Sequence, residues 1–428
     1  MKIHLIGIGG IGVSALAQYY ISKGHKVSGS DLVASEITDF VKEKGAKVFI
    51  GNEAENIKKD IDLVVYSPAV RADNPELKQA RDFGIKTKTY PQALGDLAKE
   101  YFTIAIAGAH GKSTTTTMLG ILMAKAGLDP TIIVGTKVKE FGNSNFRGGQ
   151  SKFLVIEACE YDSSFLHYLP KIIVITNVDK EHLDYFKTFT NVKRAFKDFV
   201  MRLPADGFLV FNKNDKYPLK FGKSKFKAIG YSVKQKEAQK IKNILKVSGL
   251  HNVSNALAAL EAARILGIPD KVSFKALSEF RGTWRRFEEL KIKNLKFKII
   301  SDYGHHPNEI SATLKAAREK YPNKKIWCVF QPHQRQRTYY LFNDFVKVFR
   351  SAPIDEIIIT DIYDVAGRET KKINAGVSAE KLVKKIRKKN VIYLPVQKIE
   401  KYIRENIKTG DVLIIMGAGD IYKLADKF

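Results

Sequence analysis

Short apolar runs alternate with amphipathic stretches along the whole chain. The runs are rich in β-branched residues and end in glycine or polar residues: KIHLIGI, DLVVYSPA, FTIAIAG, FLVIEA, KIIVITN, KIWCVFQ, EIIITDI and DVLIIMGAG. Between several of them, apolar residues recur at helical spacing, as in residues 253–266 and 310–320. This alternation predicts an α/β fold built on parallel sheets.

Three of the predicted strands end in loops that carry glycine, at residues 7–12, 108–111 and 417–419. They indicate three nucleotide-type modules, and a chain of 428 residues is long enough for two or three domains. A helical pattern ends near Glu100, and Phe287 stands just before a lysine-rich stretch. We therefore predict domains at residues 1–100, 101–287 and 288–428.

The composition adds a strong positive charge to this picture. The chain has 72 Lys and Arg against 45 Asp and Glu, a formal net charge of +27. Such an excess fits either a nucleic acid or small anionic substrates. The lysines are scattered within amphipathic patterns, without a basic arm or an accompanying series of aromatic residues. We predict anionic small substrates and no nucleic-acid partner.

Neither membrane insertion nor secretion is predicted. No run reaches the ~18 apolar residues that a membrane-spanning helix needs. The start, MKIHLIGIGG, runs from a strand into glycines and is not typical of a signal peptide. Cys159 and Cys328 lie far apart and have no metal-ligand spacing. We predict a cytoplasmic protein without disulfides.

The first glycine loop, Gly7-Ile8-Gly9-Gly10-Ile11-Gly12, matches the pattern G-x-G-x-x-G. A predicted strand precedes it, a helical pattern follows, and Asp31 ends the next strand. In this arrangement backbone N–H groups at a helix N-terminus approach a diphosphate. NAD and other diphosphate nucleotides fit equally, so an NAD-dependent dehydrogenase is one reading of this loop.

The second loop, GAHGKST at residues 108–114, indicates a shortened phosphate-binding loop. In the P-loop pattern G-x-x-x-x-G-K-[ST] the first glycine would stand at position 106, which is Ile106 here. Lys112 would reach the β- and γ-phosphates, and Ser113 would hold Mg²⁺. A nucleic-acid-dependent ATPase would also carry such a loop.

Further polar side chains follow the neighbouring predicted strands. Glu157 ends FLVIEA, Asn177 ends KIIVITN, and His182 comes shortly after. Ligands of α/β sheets collect at the carboxyl ends of strands, so we expect Glu157 and His182 to assist Ser113 as Mg²⁺ ligands. Magnesium prefers oxygen ligands, which makes the histidine unusual.

Several motifs together resemble the Mur ligase family. GAHGKSTTT, EACEYDSSFL, TNVDKEHLDYF, GLHNVSNALAA, FRGTWRRFE and SDYGHHPNEI occur in this order. IGIGGIGVSALA, FQPHQRQRT and GAGDI resemble the alanine-adding members in particular. The resemblance implies a Rossmann-like N-terminal domain for a UDP-sugar, a central P-loop ATPase-type α/β domain and a Rossmann-like C-terminal domain for the amino acid.

The resemblance also implies the reaction. The lactyl carboxylate of UDP-N-acetylmuramate would attack the γ-phosphate of ATP, and L-alanine would then displace phosphate from the acyl phosphate to form an amide. This step belongs to peptidoglycan precursor synthesis, with ATP and Mg²⁺ required. A ligase that attaches a recycled murein tripeptide to the same UDP-sugar is the alternative within the family.

Site residues follow from the resemblance, motif by motif. Those implied to bind ATP are Gly108, Ala109, His110, Gly111, Lys112, Ser113, Thr114, Asn177, Asn252, Asn255, Arg286 and Asp302. Those implied to bind the UDP-sugar are Gly7, Gly9, Gly10, Ile11, Gly12, Asp31, Ser67 and His305. Those implied to meet the amino acid are Tyr303, His305, His333 and Arg337. Ser113, Glu157 and His182 would bind metal, and Lys112, His182, Arg286 and Asp302 would act in catalysis.

Overall fold

The computed structural model describes residues 1–217, 225–364 and 376–428, which form three sheets. The first sheet has five parallel strands in the order β3-β2-β1-β4-β5. Its strands are β1 (Lys2–Ile6), β2 (Lys26–Asp31), β3 (Lys47–Ile50), β4 (Leu63–Tyr66) and β5 (Lys86–Thr89). Its helices are α1 (Ile11–Ser22), α2 (Glu36–Glu43), α3 (Pro75–Asp82) and α4 (Tyr90–Lys99). The strand order reverses between β1 and β4, where the first glycine loop lies.

The second sheet has seven strands in the order β12-β11-β10-β6-β9-β7-β8, and its one antiparallel pair is β7 with β8. Its strands are β6 (Phe102–Ala107), β7 (Thr131–Val138), β8 (Ser144–Arg147), β9 (Phe153–Glu157), β10 (Ile172–Ile175), β11 (Phe208–Asn212) and β12 (Lys227–Tyr231). The helices of this stretch are α5 (Lys112–Lys125), α6 (Leu183–Phe186), α7 (Phe189–Val200), α8 (Glu237–Ile244), α9 (Leu250–Ile265) and α10 (Asp270–Glu279). The central strand β6 is almost wholly buried, as a strand covered on both faces must be.

The third sheet has six strands in the order β13-β14-β18-β15-β16-β17, parallel except for β13 with β14. Its strands are β13 (Glu288–Leu290), β14 (Lys298–Asp302), β15 (Ile326–Phe330), β16 (Glu356–Ile359), β17 (Val391–Tyr393) and β18 (Val412–Met416). Its helices are α11 (Pro307–Lys320), α12 (Arg335–Tyr340), α13 (Phe342–Ser351), α14 (Ala379–Ile386) and α15 (Val396–Asn406). Apolar cores cover both faces, one around Phe345 and the other around Trp327. Short 3₁₀ helices occur at Ala54–Asn56, Lys139–Phe141, Tyr161–His167 and Asp420–Lys427.

The described residues fall into two packed units. The first comprises Met1–Val178, Lys193–Glu237 and Asn255–Ser278, and holds the first two sheets. The second comprises Asp179–Val192, Ala238–Ser254 and Glu279–Phe428, and holds the third sheet. The boundaries near Glu100 and Phe287 stay predictions. Among the described helices there is none with the length and apolar character that a membrane span requires.

Within the first unit, a buried polar network joins the helix after the first glycine loop to the β7–β8 hairpin. Gln18 donates to Asn145 Oδ1 at 2.7 Å and accepts from Ser144 Oγ at 2.8 Å. Asn145 Nδ2 donates to Ser14 Oγ at 2.9 Å and to the carbonyl of Ile11. Buried polar groups of this kind are costly to leave unpaired, so the network fixes the first sheet against the second.

Candidate active site

The first glycine loop is held by strand β2. The backbone N–H groups of Gly7 and Ile8 donate to Ser30 O at 2.8 and 3.0 Å, and Gly9 N donates to Asp31 Oδ2 at 2.9 Å. The Asp31 carboxylate therefore fixes the loop by accepting a hydrogen bond from the Gly9 N–H. Gly7 has φ of +81°, which favours glycine, and a Cβ there would lie 3.1 Å from Ser67 Cβ. The UDP-sugar residues predicted in the first unit thus lie together at the end of β1.

The phosphate loop connects β6 to α5 in four residues, 108–111. Both of its glycines have positive φ, +135° at Gly108 and +83° at Gly111. A Cβ at Gly108 would overlap Thr176 Oγ1, and one at Gly111 would overlap Asn255 Oδ1. Helix α5 begins at Lys112. Its first N–H groups face the loop and form the type of anion site that helix N-termini provide.

Asn177 supports this loop from the end of the neighbouring strand. Its Oδ1 accepts from His110 N at 2.9 Å, its Nδ2 donates to His110 O at 2.9 Å, and its carbonyl accepts from Ala109 N at 3.1 Å. The amide side chain is thus used by the loop backbone. This contact shapes the phosphate site, and direct contact of Asn177 with a nucleotide stays a prediction.

Lys112 is held by a carboxylate that the sequence motifs did not single out. Its Nζ donates to Gly108 O at 2.6 Å and to Glu160 Oε2 at 3.0 Å, and the Glu160 side chain is fully buried. Burial opposes the charge on Lys112, but Glu160 and the other acidic groups around it, including Glu157, together outweigh burial and raise the pKa of the ammonium group. Lys112 is therefore a permanent cation at the loop. Glu160 stands in the quoted stretch EACEYDSSFL, but nothing in the sequence indicates that it is buried against Lys112.

Glu157 ends β9 beside the phosphate loop. In the sheet register it pairs with Ile106, two residues before Gly108, and its Oε2 accepts from Gly135 N at 2.8 Å. Ser113 lies in the first turn of α5 and is 5% exposed. The structure thus places two predicted metal ligands, both with oxygen donors, at the same edge of the second sheet. The third, His182, belongs to the second unit, where it caps α6 with φ of +53°.

In the second unit, Arg337 forms a buried ion pair that carries the predicted amino-acid site. Its Nε donates to Glu181 Oε1 at 3.1 Å and its Nη2 to Oε2 at 3.2 Å, and the two side chains are 8% and 5% exposed. Burial alone would raise the pKa of Glu181, but Arg337 and nearby histidines hold it well below its ordinary value. Arg337 Nη1 also donates to His333 Nδ1 at 3.1 Å. An arginine only donates, so His333 carries its proton on Nε2.

His305 and Tyr303 stand beside this pair. The ring centroid of His305 lies 5.3 Å from that of Tyr303 and 6.0 Å from that of His333. Glu309, which the motifs did not single out, places its carboxylate 3.5 Å from His305 Nδ1 and 3.6 Å from Arg286 Nη1. The four predicted amino-acid residues therefore form one cluster with Arg286 next to it.

The side chains of Asp302 and Asn252 form hydrogen bonds with backbone groups. Asp302 accepts from Phe287 N and Gly304 N, both at 2.8 Å, and so fixes the segment that presents Arg286. Burial raises the pKa of Asp302. Asn252 donates to Ser248 O at 2.7 Å in the first turn of α9, the helix that also contains Asn255. The roles of Asp302 and Asn252 in nucleotide binding stay predictions.

Two partly buried histidines, His251 and His305, predict how stability depends on pH. Burial lowers the pKa of both His251 and His305 to about 4, against opposing attraction from Glu309. Arg286 adds to the lowering at His251 and Arg337 at His305. The unfolded chain takes up protons near pH 6.5 and the folded chain does not, so folding is favoured above that pH and loses stability as the pH falls towards 4. We expect a loss of about 2 kcal/mol per histidine between pH 7 and 5.

Urea unfolding at pH 7 and pH 5 measures this dependence. His251→Gln should lose less stability on acidification than the wild type, whereas the control His167→Gln, at an exposed position, should behave like the wild type. An identical pH dependence in the wild type and His251→Gln would contradict a lowered pKa of His251 in the folded protein.

Family models match most of the chain. The model described as "Mur ligase family, catalytic domain" matches residues 2–102, "Mur ligase middle domain" matches 106–248, and "Mur ligase, glutamate ligase domain" matches 285–419. A curated relative from Acetivibrio thermocellus named UDP-N-acetylmuramate--L-alanine ligase is 41% identical, covering 100% of this chain and 95% of that one. One of the same name from Clostridium botulinum (strain Loch Maree) is 42% identical, with 100% and 97% covered. The chain belongs to the Mur ligase family.

Solved structures agree with this assignment. UDP-N-acetylmuramate-alanine ligase from Thermotoga maritima has a TM-score of 0.82 at 28% identity, covering 100% of this chain and 98% of that one. A murein peptide ligase from Psychrobacter arcticus has a TM-score of 0.73 at 23% identity, with the same coverage, and supports the fold alone. The predicted family and three-domain α/β fold of this Mur ligase are thereby confirmed. The dehydrogenase, nucleic-acid ATPase and tripeptide alternatives are not favoured, because the full-length curated relatives above bear the alanine ligase name.

Proposed function

We propose that this Mur ligase uses ATP to join L-alanine to the lactyl carboxylate of UDP-N-acetylmuramate in peptidoglycan precursor synthesis. The observation that carries the proposal is the cation Lys112, paired with the buried Glu160 at a phosphate loop, in a chain that matches alanine ligases over its whole length. The two cysteines are free, which fits the reducing cytoplasm that we propose as its location.

The chemistry needs two anions brought together. The lactyl carboxylate attacks the γ-phosphorus of ATP, the bond to ADP breaks, and an acyl phosphate forms. The amine of L-alanine then attacks the acyl carbon, loses a proton, and inorganic phosphate leaves. Lys112 and the N-terminal amides of α5 would hold the β- and γ-phosphates and neutralise charge that develops during transfer. ATP thus converts hydroxide, a poor leaving group, into phosphate.

A magnesium ion fits the oxygen donors at this edge of the sheet. Ser113 Oγ and the Glu157 carboxylate are ligands of the type that Mg²⁺ prefers, whereas a contribution from His182 would be less typical. When bound, Mg²⁺ would polarise the γ-phosphate and neutralise its charge. Glu157 would orient the ion from a strand end that the sheet holds rigidly.

The two other substrates, the UDP-sugar and L-alanine, would each bind at a site of their own. The amides of the first glycine loop, at the N-terminus of α1, would hold the diphosphate of the UDP-sugar. In the second unit, Arg337 uses Nε and one N–H of Nη2 for Glu181, and Nη1 for His333. Among its contacts with described residues, this leaves the second Nη2 N–H to donate one charge-assisted hydrogen bond to the carboxylate of L-alanine.

Release of inorganic phosphate from ATP tests the function. The reaction contains Mg²⁺ and UDP-N-acetylmuramate, with L-alanine, glycine, L-serine or the murein tripeptide added in turn. Release that requires the UDP-sugar and is fastest with L-alanine supports the proposal. Preference for the tripeptide would reassign the protein to recycling, and no release with any amine would refute the ligase function.

A further inference from the structure

Tyr90 lies at the carboxyl edge of the first sheet, within electrostatic reach of Glu157 in the second. It is the first residue of α4 and directly follows β5, at the carboxyl edge where the first glycine loop also lies. A capping box fixes its backbone: Gln92 N donates to Thr89 Oγ1 at 3.4 Å, and Thr89 N donates to Gln92 Oε1 at 2.9 Å. The tyrosine side chain is therefore presented from rigid elements.

The third glycine of the loop makes room for this tyrosine. Gly12 lies inside α1 and has no positive φ, so its backbone would accept other residues. A Cβ at Gly12 would nevertheless lie 2.9 Å from Tyr90 Cζ and 3.1 Å from its Oη. The phenol end of Tyr90 thus rests on the first turn of α1, where the proposed diphosphate site is.

The Tyr90 hydroxyl is a neutral hydrogen-bond donor that is available to a ligand. Burial raises the pKa of Tyr90, and the negative charge of Glu157 raises it further, so the phenol keeps its proton. Among the described residues the Tyr90 hydroxyl has no hydrogen-bond partner. A partly buried phenol that keeps its proton is suited to an anionic acceptor.

We propose that Tyr90 Oη donates a hydrogen bond to the diphosphate of UDP-N-acetylmuramate, an inference that rests on the proposed function. The glycine loop supplies backbone amides from one side, and Tyr90 supplies a side-chain donor from the direction of Glu157. Tyr90 is then a substrate-binding residue at the start of α4, the helix that leads into β6 and the phosphate loop.

Calorimetric titration of UDP-N-acetylmuramate, UDP and ATP tests the hydroxyl with its ring kept in place. Tyr90→Phe should weaken UDP-N-acetylmuramate and UDP alike by about 10-fold or more, the effect of one hydrogen bond to a charged group. The Kd for ATP should not change. The matched control is Tyr101→Phe, whose hydroxyl pairs with that of Tyr19 at 3.4 Å and should leave all three affinities unchanged.

Each outcome is decisive. If the wild type does not bind UDP-N-acetylmuramate, the proposed function fails and this inference with it. If the wild type binds and Tyr90→Phe binds equally tightly, only the inference is overturned. A loss confined to UDP-N-acetylmuramate, with UDP unaffected, would show that the hydroxyl contacts the sugar and would overturn the assignment to the diphosphate.

A double-mutant cycle tests the steric contact independently. Gly12→Ala should weaken UDP binding in the wild-type background, because its methyl group displaces Tyr90. The same substitution should have little further effect in a Tyr90→Ala background, where the space is open. Equal losses in both backgrounds would mean that Gly12 serves the loop itself, and would contradict the placement of the phenol on α1.

Discussion

Replacing Lys112 with alanine is expected to abolish ligation and to leave binding of UDP-N-acetylmuramate largely intact. Lys112 is the cation at the phosphate loop, and its loss removes the charge that would stabilise phosphoryl transfer. We expect kcat to fall by at least about 10³-fold, at the upper end of what a single stabilising group contributes. The UDP-sugar is proposed to bind at the first sheet, so its Kd should change less than about threefold, under ~1 kcal/mol.

The same substitution removes one ion-pair partner of the buried Glu160. Glu160 is fully buried and pairs with Lys112 at 3.0 Å, so Lys112→Ala should also lower the free energy of unfolding by about 3–5 kcal/mol. The double variant Lys112→Ala/Glu160→Gln removes the uncompensated charge and should regain much of that stability without regaining activity. Phosphate release, calorimetry and urea unfolding separate the three effects. Parallel loss of both substrate affinities would contradict separate ATP and UDP-sugar sites.

Much of the fold follows from local patterns that the sequence carries by itself. Every apolar run named from the sequence contains a strand, because β-branched residues bounded by glycine are buried in parallel sheets. Helix α5 begins at Lys112, directly after the glycine loop, since Gly111 adopts a left-handed conformation and ends the loop there. The short phosphate loop was predicted from spacing alone. The β7–β8 hairpin was not, although β7 contains the β-branched run TIIV, because the polar sequence of β8, SNFR, gives no strand pattern.

The candidate site was predicted less completely, for a physical reason. Residues in motifs, such as Lys112 and Arg337, are marked by the type of chemistry that they perform. Their partners Glu160 and Glu181 are acidic residues that would pass for solvated surface in the sequence, and only tertiary packing buries them. Likewise, no hydrophobic periodicity or motif in the sequence indicates a role for Tyr90. Its relation to Gly12 spans 78 positions (12 to 90) and exists only because β5 ends beside the first glycine loop.

Replacement of Arg337 is the second substitution for which we expect a large effect. Its effects on the free energy of unfolding and on L-alanine binding can be measured separately. Arg337→Ala leaves Glu181 buried without the cation that lowers its pKa, and should reduce the free energy of unfolding by about 3–5 kcal/mol. It should also raise the KM for L-alanine by about 10-fold or more, because a charge-assisted hydrogen bond to the carboxylate is lost. Urea unfolding and phosphate release at varied L-alanine measure the two quantities.

Arg337→Lys distinguishes the charge of Arg337 from its shape. An ammonium group keeps the countercharge for Glu181, so much of the stability should return. It cannot reproduce two parallel bonds to Glu181, two further bonds to His333 and a donor for a ligand, so the KM for L-alanine should stay high. Recovery of both quantities with lysine would show that charge alone is needed at this position. An unfolding free energy within about 1 kcal/mol of the wild type in Arg337→Ala would contradict a buried pair, because exposed pairs contribute no more than that.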